Sequence, residues 1–225
     1  MQGFEMYRKF IKMSALMALA LVLGACAAQQ GLPPSTSYSS QTASPETYSY
    51  QIGPGDQLQI FVWRNPEVSQ NVTVRPDGKI TTPLVEDLQA SGKTPNQLAR
   101  DLEKALETYI RQPIVTVIVA GGIGPYSEQI RVIGQVAGQQ AGGGRAAGPQ
   151  AQAIAYRQKM TLLDVMVAVG GLNEFAAGNK TKVVRVVDGK QQEYQVRLDD
   201  LLNGDITANV DMLPGDILII PESWF

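Results

Sequence analysis

Residues 52–63 read IGPGDQLQIFVW, and the same opening returns near the end of the chain, where residues 212–225 read MLPGDILIIPESWF. In each, proline presets φ and glycine relieves the strain of a reversal, so Gly53-Pro54-Gly55 and Pro214-Gly215 mark tight turns. Asp56 and Asp216 follow directly. They are placed to accept backbone hydrogen bonds within the turn, which is the ordinary role of aspartate after Pro-Gly and the better reading than a catalytic or metal-binding one. Each turn feeds a strand. In the first, Leu58, Ile60 and Val62 recur at every second position, the period of a half-buried strand.

Around these two strands the chain divides into two blocks. In the first, residues 48–121, VTVRPDGKITTPL (72–84) gives two short strands about the turn Arg75-Pro76-Asp77-Gly78. TPNQLARDLEKALETYI (94–110) reads as a helix, with Thr94 as cap, Pro95 in the first turn and Gln97 completing a capping box. Leu98, Leu102, Ala105, Leu106 and Tyr109 form its apolar face. IVTVIVA (114–120) is a buried strand. In the second block, residues 127–225, EQIRVIGQV is a strand, and TLLDVMVAVGG is a helix capped by Thr161 and Asp164 and stopped by Gly170-Gly171. KVVRVVDGKQQEYQVRL is a hairpin turning at Asp188-Gly189, DDLLNGD is a short helix or turn, and GDILIIP is the last strand. Residues 137–155, AGQQAGGGRAAGPQAQAIA, read as a mobile loop insertion. They lack the Gly-Lys-Ser/Thr pattern of a phosphate cradle. The fold class is α+β in both blocks.

Upstream of both blocks, Arg8, Lys9 and Lys12 precede the short apolar run MSALMALALVLGA, which ends in LGAC, Leu23–Cys26. This is the layout of a secretory signal over residues 1–25. LGAC resembles a bacterial lipobox, in which the cysteine thiol receives diacylglycerol. By the same resemblance, Ala27 in the second mature position implies the outer membrane. Anchoring by more than one acyl chain is stable, each buried CH2 contributing roughly 0.8 kcal/mol. Residues 26–47 are rich in Ser, Thr, Pro and Gln, and read as a flexible tether. Cys26 is the sole cysteine, so no intrachain disulfide is available.

The bulk composition narrows the function. Of 225 residues 44% are hydrophobic, enough for one or two cored domains. Nineteen basic residues against twenty-one acidic ones give a net charge of -2, which argues against a sequence-independent nucleic-acid partner. The absence of histidine removes the commonest general base and metal ligand. No catalytic residue, metal or cofactor is expected. Asp199, Asp200 and Asp205 cluster near the end of a helix-like turn, but their spacing fits a solvated turn better than the facing pair that glycoside hydrolysis needs.

YQIGPGDQLQIFVW followed by VRPDGKITTPL resembles the export domain of the Wza-type outer-membrane polysaccharide exporters. IRVIGQV, TLLDVMVAVGGLNEFA and the closing Pro-Gly-Asp strand resemble the SLBB (soluble ligand-binding β-grasp) domain of the same proteins. PESWF is similar to the ending of short exporters of exosortase-associated exopolysaccharide clusters. The resemblance implies a homo-oligomeric ring through which a polysaccharide chain passes, with an inner-membrane polysaccharide co-polymerase or tyrosine kinase as partner. Only four residues follow Pro221, too few to cross roughly 30 Å of hydrocarbon. The expectation is therefore a lipid-tethered periplasmic ring with a separate outer-membrane β-barrel as pore. Arg64, Asn65, Arg75, Asp77 and Lys79, in or beside turns, are candidate passage-lining residues. Trp63 and Tyr109 are of the type that stacks on sugar rings, but both sit in apolar patterns and read better as core, while Trp224 and Phe225 read as an exposed contact pair. The competing reading is a periplasmic lipoprotein that binds a sugar or envelope component without forming a conduit.

Overall fold

The computed structural model describes residues 42–137 and 149–224, among which three α-helices and ten β-strands are found. The signal, the lipobox at Cys26, most of the tether, residues 138–148 of the expected insertion and Phe225 lie outside the described residues.

The first domain is built on β1 (Gln57–Val62), the strand that follows the first Pro-Gly-Asp turn. β1 is the middle strand of a three-stranded antiparallel sheet, between β2 (Gln70–Thr73) and β5 (Val115–Gly121). β3 (Lys79–Thr82) and β4 (Val85–Gln89) form a separate antiparallel ribbon after the Arg75–Gly78 turn. α1 (Pro95–Leu106) begins at the expected capping box. The Gln97 N–H donates to Thr94 Oγ1 at 3.3 Å, and the Thr94 N–H donates to Gln97 Oε1 at 2.8 Å. Its buried stripe of Leu98, Ala99, Leu102 and Leu106 joins Leu58, Ile60, Val62, Val115 and Val117 in one core. Each fully buried leucine, isoleucine or valine of this core stabilises the domain by roughly 1.5–3 kcal/mol.

The helix is shorter than its sequence pattern. It ends at Leu106, and the N–H groups of Tyr109 and Ile110 both turn back onto the Leu106 carbonyl at 2.8 Å. Gln112 then takes φ 52° before Pro113, which cannot donate to continue a helix. Tyr109 therefore leaves the apolar face and is 62% exposed, contrary to the core position its spacing implied. Trp63 departs from expectation in the same direction. With Leu58, Ile60 and Val62 inward, strand alternation sends Phe61 and Trp63 outward, and Trp63 is 53% exposed.

The second domain is a five-stranded mixed sheet in the order β7-β6-β10-β8-β9. β6 is Gln129–Gly134, β7 Gln150–Ala155, β8 Lys182–Val187, β9 Lys190–Gln195 and β10 Ile217–Ile220. The strand after the second Pro-Gly-Asp turn is thus again central: β10 runs parallel to β6 and antiparallel to β8. The β8–β9 hairpin turns at Asp188 (φ 50°) and Gly189 (φ 72°), the pair of positive φ values that a tight hairpin requires. α2 (Leu162–Val169) covers the sheet with Leu162, Val165, Met166 and Val169, and α3 (Leu198–Leu202) adds Leu198 and Leu201 to the same core.

β7 corrects the reading of residues 137–155 as a loop insertion. Gln150–Ala155 pair antiparallel with the whole of β6, and Ala137 is buried. Gln150, Gln152 and Ile154 take the half-buried positions and Ala151 and Ala153 the exposed ones, an alternation that suits an edge strand whose pairing the backbone supplies.

Candidate functional site

The two Pro-Gly-Asp turns are built alike and used differently. Both aspartates are 0% exposed, so each carboxylate must be matched by donors. In each turn one carboxylate oxygen caps the residue three positions earlier. The Gly53 N–H donates to Asp56 Oδ2 at 2.8 Å, and the Leu213 N–H donates to Asp216 Oδ2 at 2.7 Å. The remaining donors differ. Asp56 Oδ1 accepts from the N–H groups of Ile123 at 2.9 Å and Gly124 at 3.2 Å, and Oδ2 also accepts a short bond from the Tyr50 hydroxyl. Asp216 instead receives the Arg185 guanidinium in a two-point grip, with Nε on Oδ1 at 2.8 Å and Nη2 on Oδ2 at 2.7 Å. That grip holds the Arg185 charge, pushing its pKa above the ordinary arginine value.

The first turn therefore joins the domains and the second braces one of them. Residues 121–128 connect the two sheets, and Asp56 clasps their backbone. Gly53 lies so close to this connection that a Cβ there would stand 2.1 Å from the Gly124 carbonyl carbon, so only glycine fits without a backbone shift. From the other side the Gln129 side-chain amide donates to the Gly124 carbonyl at 3.1 Å. Tyr48, just before β1, meets Tyr156 of the second domain edge to face, with ring centroids 4.8 Å apart.

Burial and the Asp56 carboxylate push the Tyr50 phenol far above its ordinary value, and burial pushes that of Tyr48 up to about 12. Because the folded values lie above the unfolded one, this stability is fully present below about pH 10 and is lost as pH rises through the folded values. Thermal stability should hold level to about pH 10 and then fall, and Tyr50→Phe should make the fall shallower. A melting series across alkaline pH, for both proteins, checks this.

The Arg75–Gly78 turn sits at the same end of β1 as the first Pro-Gly-Asp turn. The Val74 N–H donates to the Asp56 carbonyl at 2.9 Å, and the Gly55 N–H donates to the Val74 carbonyl at 2.9 Å. Gly78 takes φ 79°, and its carbonyl accepts from Ala90 and Ser91, so the turn anchors the β3–β4 ribbon. Arg75 pairs with Asp77 at 2.6 Å and with Asp87; both pairs are exposed and add little stability. Lys79 opens β3 beside this turn. Arg64 and Asn65 stand in the turn after β1, where Asn65 Nδ2 donates to the Trp63 carbonyl at 2.9 Å. The candidate lining residues thus divide between the two ends of β1.

In the second domain Gly170 and Gly171 both have positive φ and close α2, the Gly171 N–H reaching the Met166 carbonyl at 2.9 Å. Asp199 and Asp200 engage Asn179, accepting from its N–H at 2.9 Å and its Nδ2 at 2.8 Å respectively. Arg197 bridges Asp200 and Asp205 at 3.0 and 3.1 Å. These carboxylates hold a turn together. Sequence reasoning missed Arg185 and Tyr50. A lone arginine among the valines of β8 was the available signal for the first; nothing local marked the second.

Residues 44–120 match the family described as polysaccharide biosynthesis/export protein, and residues 143–220 match the SLBB domain. The second match begins inside the stretch expected to be an insertion, in keeping with the pairing of β7. The chain is similar to the EPS I polysaccharide export outer membrane protein EpsA of Ralstonia nicotianae, at 24% identity over 197 residues covering 77% of this chain and 47% of the relative. It is similar to the protein of the same name from Ralstonia solanacearum, at 27% identity over 193 residues covering 75% of this chain and 47% of the relative. The chain spans about half the length of these curated relatives.

Proposed function

Because the chain belongs to the polysaccharide export family, with one export domain and one SLBB domain, we propose that it is a structural component of an exopolysaccharide or capsule export machine. Copies of the chain form a closed ring that guides the polymer across the periplasm towards the outer membrane. The lipid on Cys26 tethers the ring, an outer-membrane β-barrel completes the pore, and an inner-membrane co-polymerase or tyrosine kinase delivers the polymer. The observation that carries this reading is the ordered pair of domains joined through the buried Asp56 carboxylate. A ring closes only if each copy presents its two contact surfaces at a fixed angle, which a braced joint provides. The second domain offers a candidate for one such surface. Ile133 and Ile219 stand opposite each other on β6 and β10, and with Val186 on β8 they are exposed on the outer sheet face. No helix among the described residues is long and apolar enough to cross a membrane.

Native mass measurement of the detergent-extracted full chain tests the proposal. A closed ring of fixed copy number is expected; a monomer with a saturable sugar site would favour the binding-module reading instead. The division of labour with a barrel has its own test. The protein alone should give no large single-channel conductance in planar bilayers, and large channels would remove the barrel from the scheme.

A further inference from the structure

The solvent face of the β2-β1-β5 sheet carries amides, hydroxyls and apolar rings at its exposed strand positions. The outward positions of β1 are Gln57, Gln59 and Phe61, with Trp63 just beyond; those of β2 are Asn71 and Thr73; those of β5 are Thr116 and Ile118. All are exposed, and none of these strand positions is charged. Phe61 and Trp63 meet edge to face at 6.3 Å, forming an aromatic strip along β1. Thr116 lies directly opposite Phe61, and Asn71 opposite Gln59. The side chains of Gln57, Gln59, Asn71 and Thr116 make no hydrogen bond among the described residues, so donors and acceptors lie open beside the aromatic rings.

We propose that this face is a contact surface for a neutral polysaccharide chain, with Phe61 and Trp63 as the stacking platform and Gln57, Gln59, Asn71 and Thr116 as its hydrogen-bonding flank. The proposal rests on the export reading above and gives it a place on the chain. Charge decides the class of polymer, because a polyanion would find no cation among the strand positions. Hydrogen-bond chemistry separates sugar from protein as occupant. A protein covering this face would bury free amides, each of which costs stability unless matched in position. A sugar hydroxyl donates and accepts at once, and so do the amide side chains, so pairing survives as the polymer slides. The C–H faces of sugar rings lie against aromatic rings without fixing a register. From Gln57 to Trp63 the strand extends roughly 20 Å, long enough for several sugar rings in a row. The second domain's outer face, by contrast, is aliphatic at its centre and suits a protein neighbour.

The test uses the full chain in a strain deleted for its gene. Phe61→Ser/Trp63→Ser removes the platform, and Gln59→Ala/Asn71→Ala removes part of the flank; all four side chains are exposed, so folding should survive. Each variant is expected to restore surface polysaccharide several-fold less well than the intact gene, with unchanged melting and oligomeric state. In a Trp224→Phe background Trp63 is the sole tryptophan. Its emission should shift on adding exopolysaccharide purified from the parent strain. Full restoration by both variants, or a silent Trp63, overturns the proposal and leaves the export reading standing. A changed oligomeric state also overturns it, by giving this face to a neighbouring copy. If deletion itself leaves surface polysaccharide unchanged, the export reading has failed first.

Discussion

Arg185→Ala is expected to destabilise the second domain by about 3–5 kcal/mol, the usual consequence of stranding one member of a buried ion pair. Asp216 is fully buried, and two of the three hydrogen bonds its carboxylate accepts come from this guanidinium, the third from the Leu213 N–H within the turn. Arg185 also reaches the Asp211 carbonyl at 3.2 Å and lies 5.8 Å from the Tyr194 ring centroid. Its loss therefore loosens the approach to β10, the central strand, along with the β8–β9 hairpin. Removing both charges should cost less than removing one, because no uncompensated carboxylate remains. Arg185→Met/Asp216→Asn is accordingly expected to recover part of the loss. Denaturant unfolding of the three proteins reads this directly. A double variant no more stable than Arg185→Ala would show that the pair is not the source of the effect.

Asp56→Ala is expected to uncouple the two domains at a cost of roughly 3 kcal/mol or more, since several donors lose their acceptor together. Those of Gly53 and Gly124 are buried with the turn, so water cannot simply replace the carboxylate. The distinguishing sign is where the damage appears. Limited proteolysis should cut within residues 121–128, and melting should separate into two transitions as each domain unfolds on its own. Gly53→Ala should act in the same direction through space rather than charge, because its Cβ would collide with backbone at Gly124. If Asp56→Ala keeps a single transition and an intact 121–128 segment, the joint is held by other contacts.

Local chemistry made much of this fold legible in the sequence. The capping boxes at Thr94 and Thr161, the hairpin at Asp188-Gly189 and the two Pro-Gly-Asp turns each lie within a few residues, and each forms as its residue types dictate. What escaped was set by distance along the chain. Asp216 finds Arg185 across 31 residues, and Asp56 reaches Ile123 across 67. Neither partner carries a local mark beyond an arginine in an apolar strand. β7 escaped for a different reason. Its Gln and Ala residues resemble low-complexity sequence, and its strand identity comes from the edge of β6 rather than from its own propensity. Trp63 was legible and misread, since the alternation that buries Val62 turns its neighbour outward. The candidate lining residues were chosen by turn chemistry. The uncharged aromatic face was hidden because its members come from three strands far apart in the chain.

The most direct test of the central claim is where the polysaccharide goes when the gene is deleted, measured as surface and released polymer against polymer held in the periplasm. The account predicts loss from the surface, restored by the intact gene and not by a Cys26→Ser variant, which would remove the proposed lipid acceptor. Unchanged surface polysaccharide in the deletion strain would contradict it.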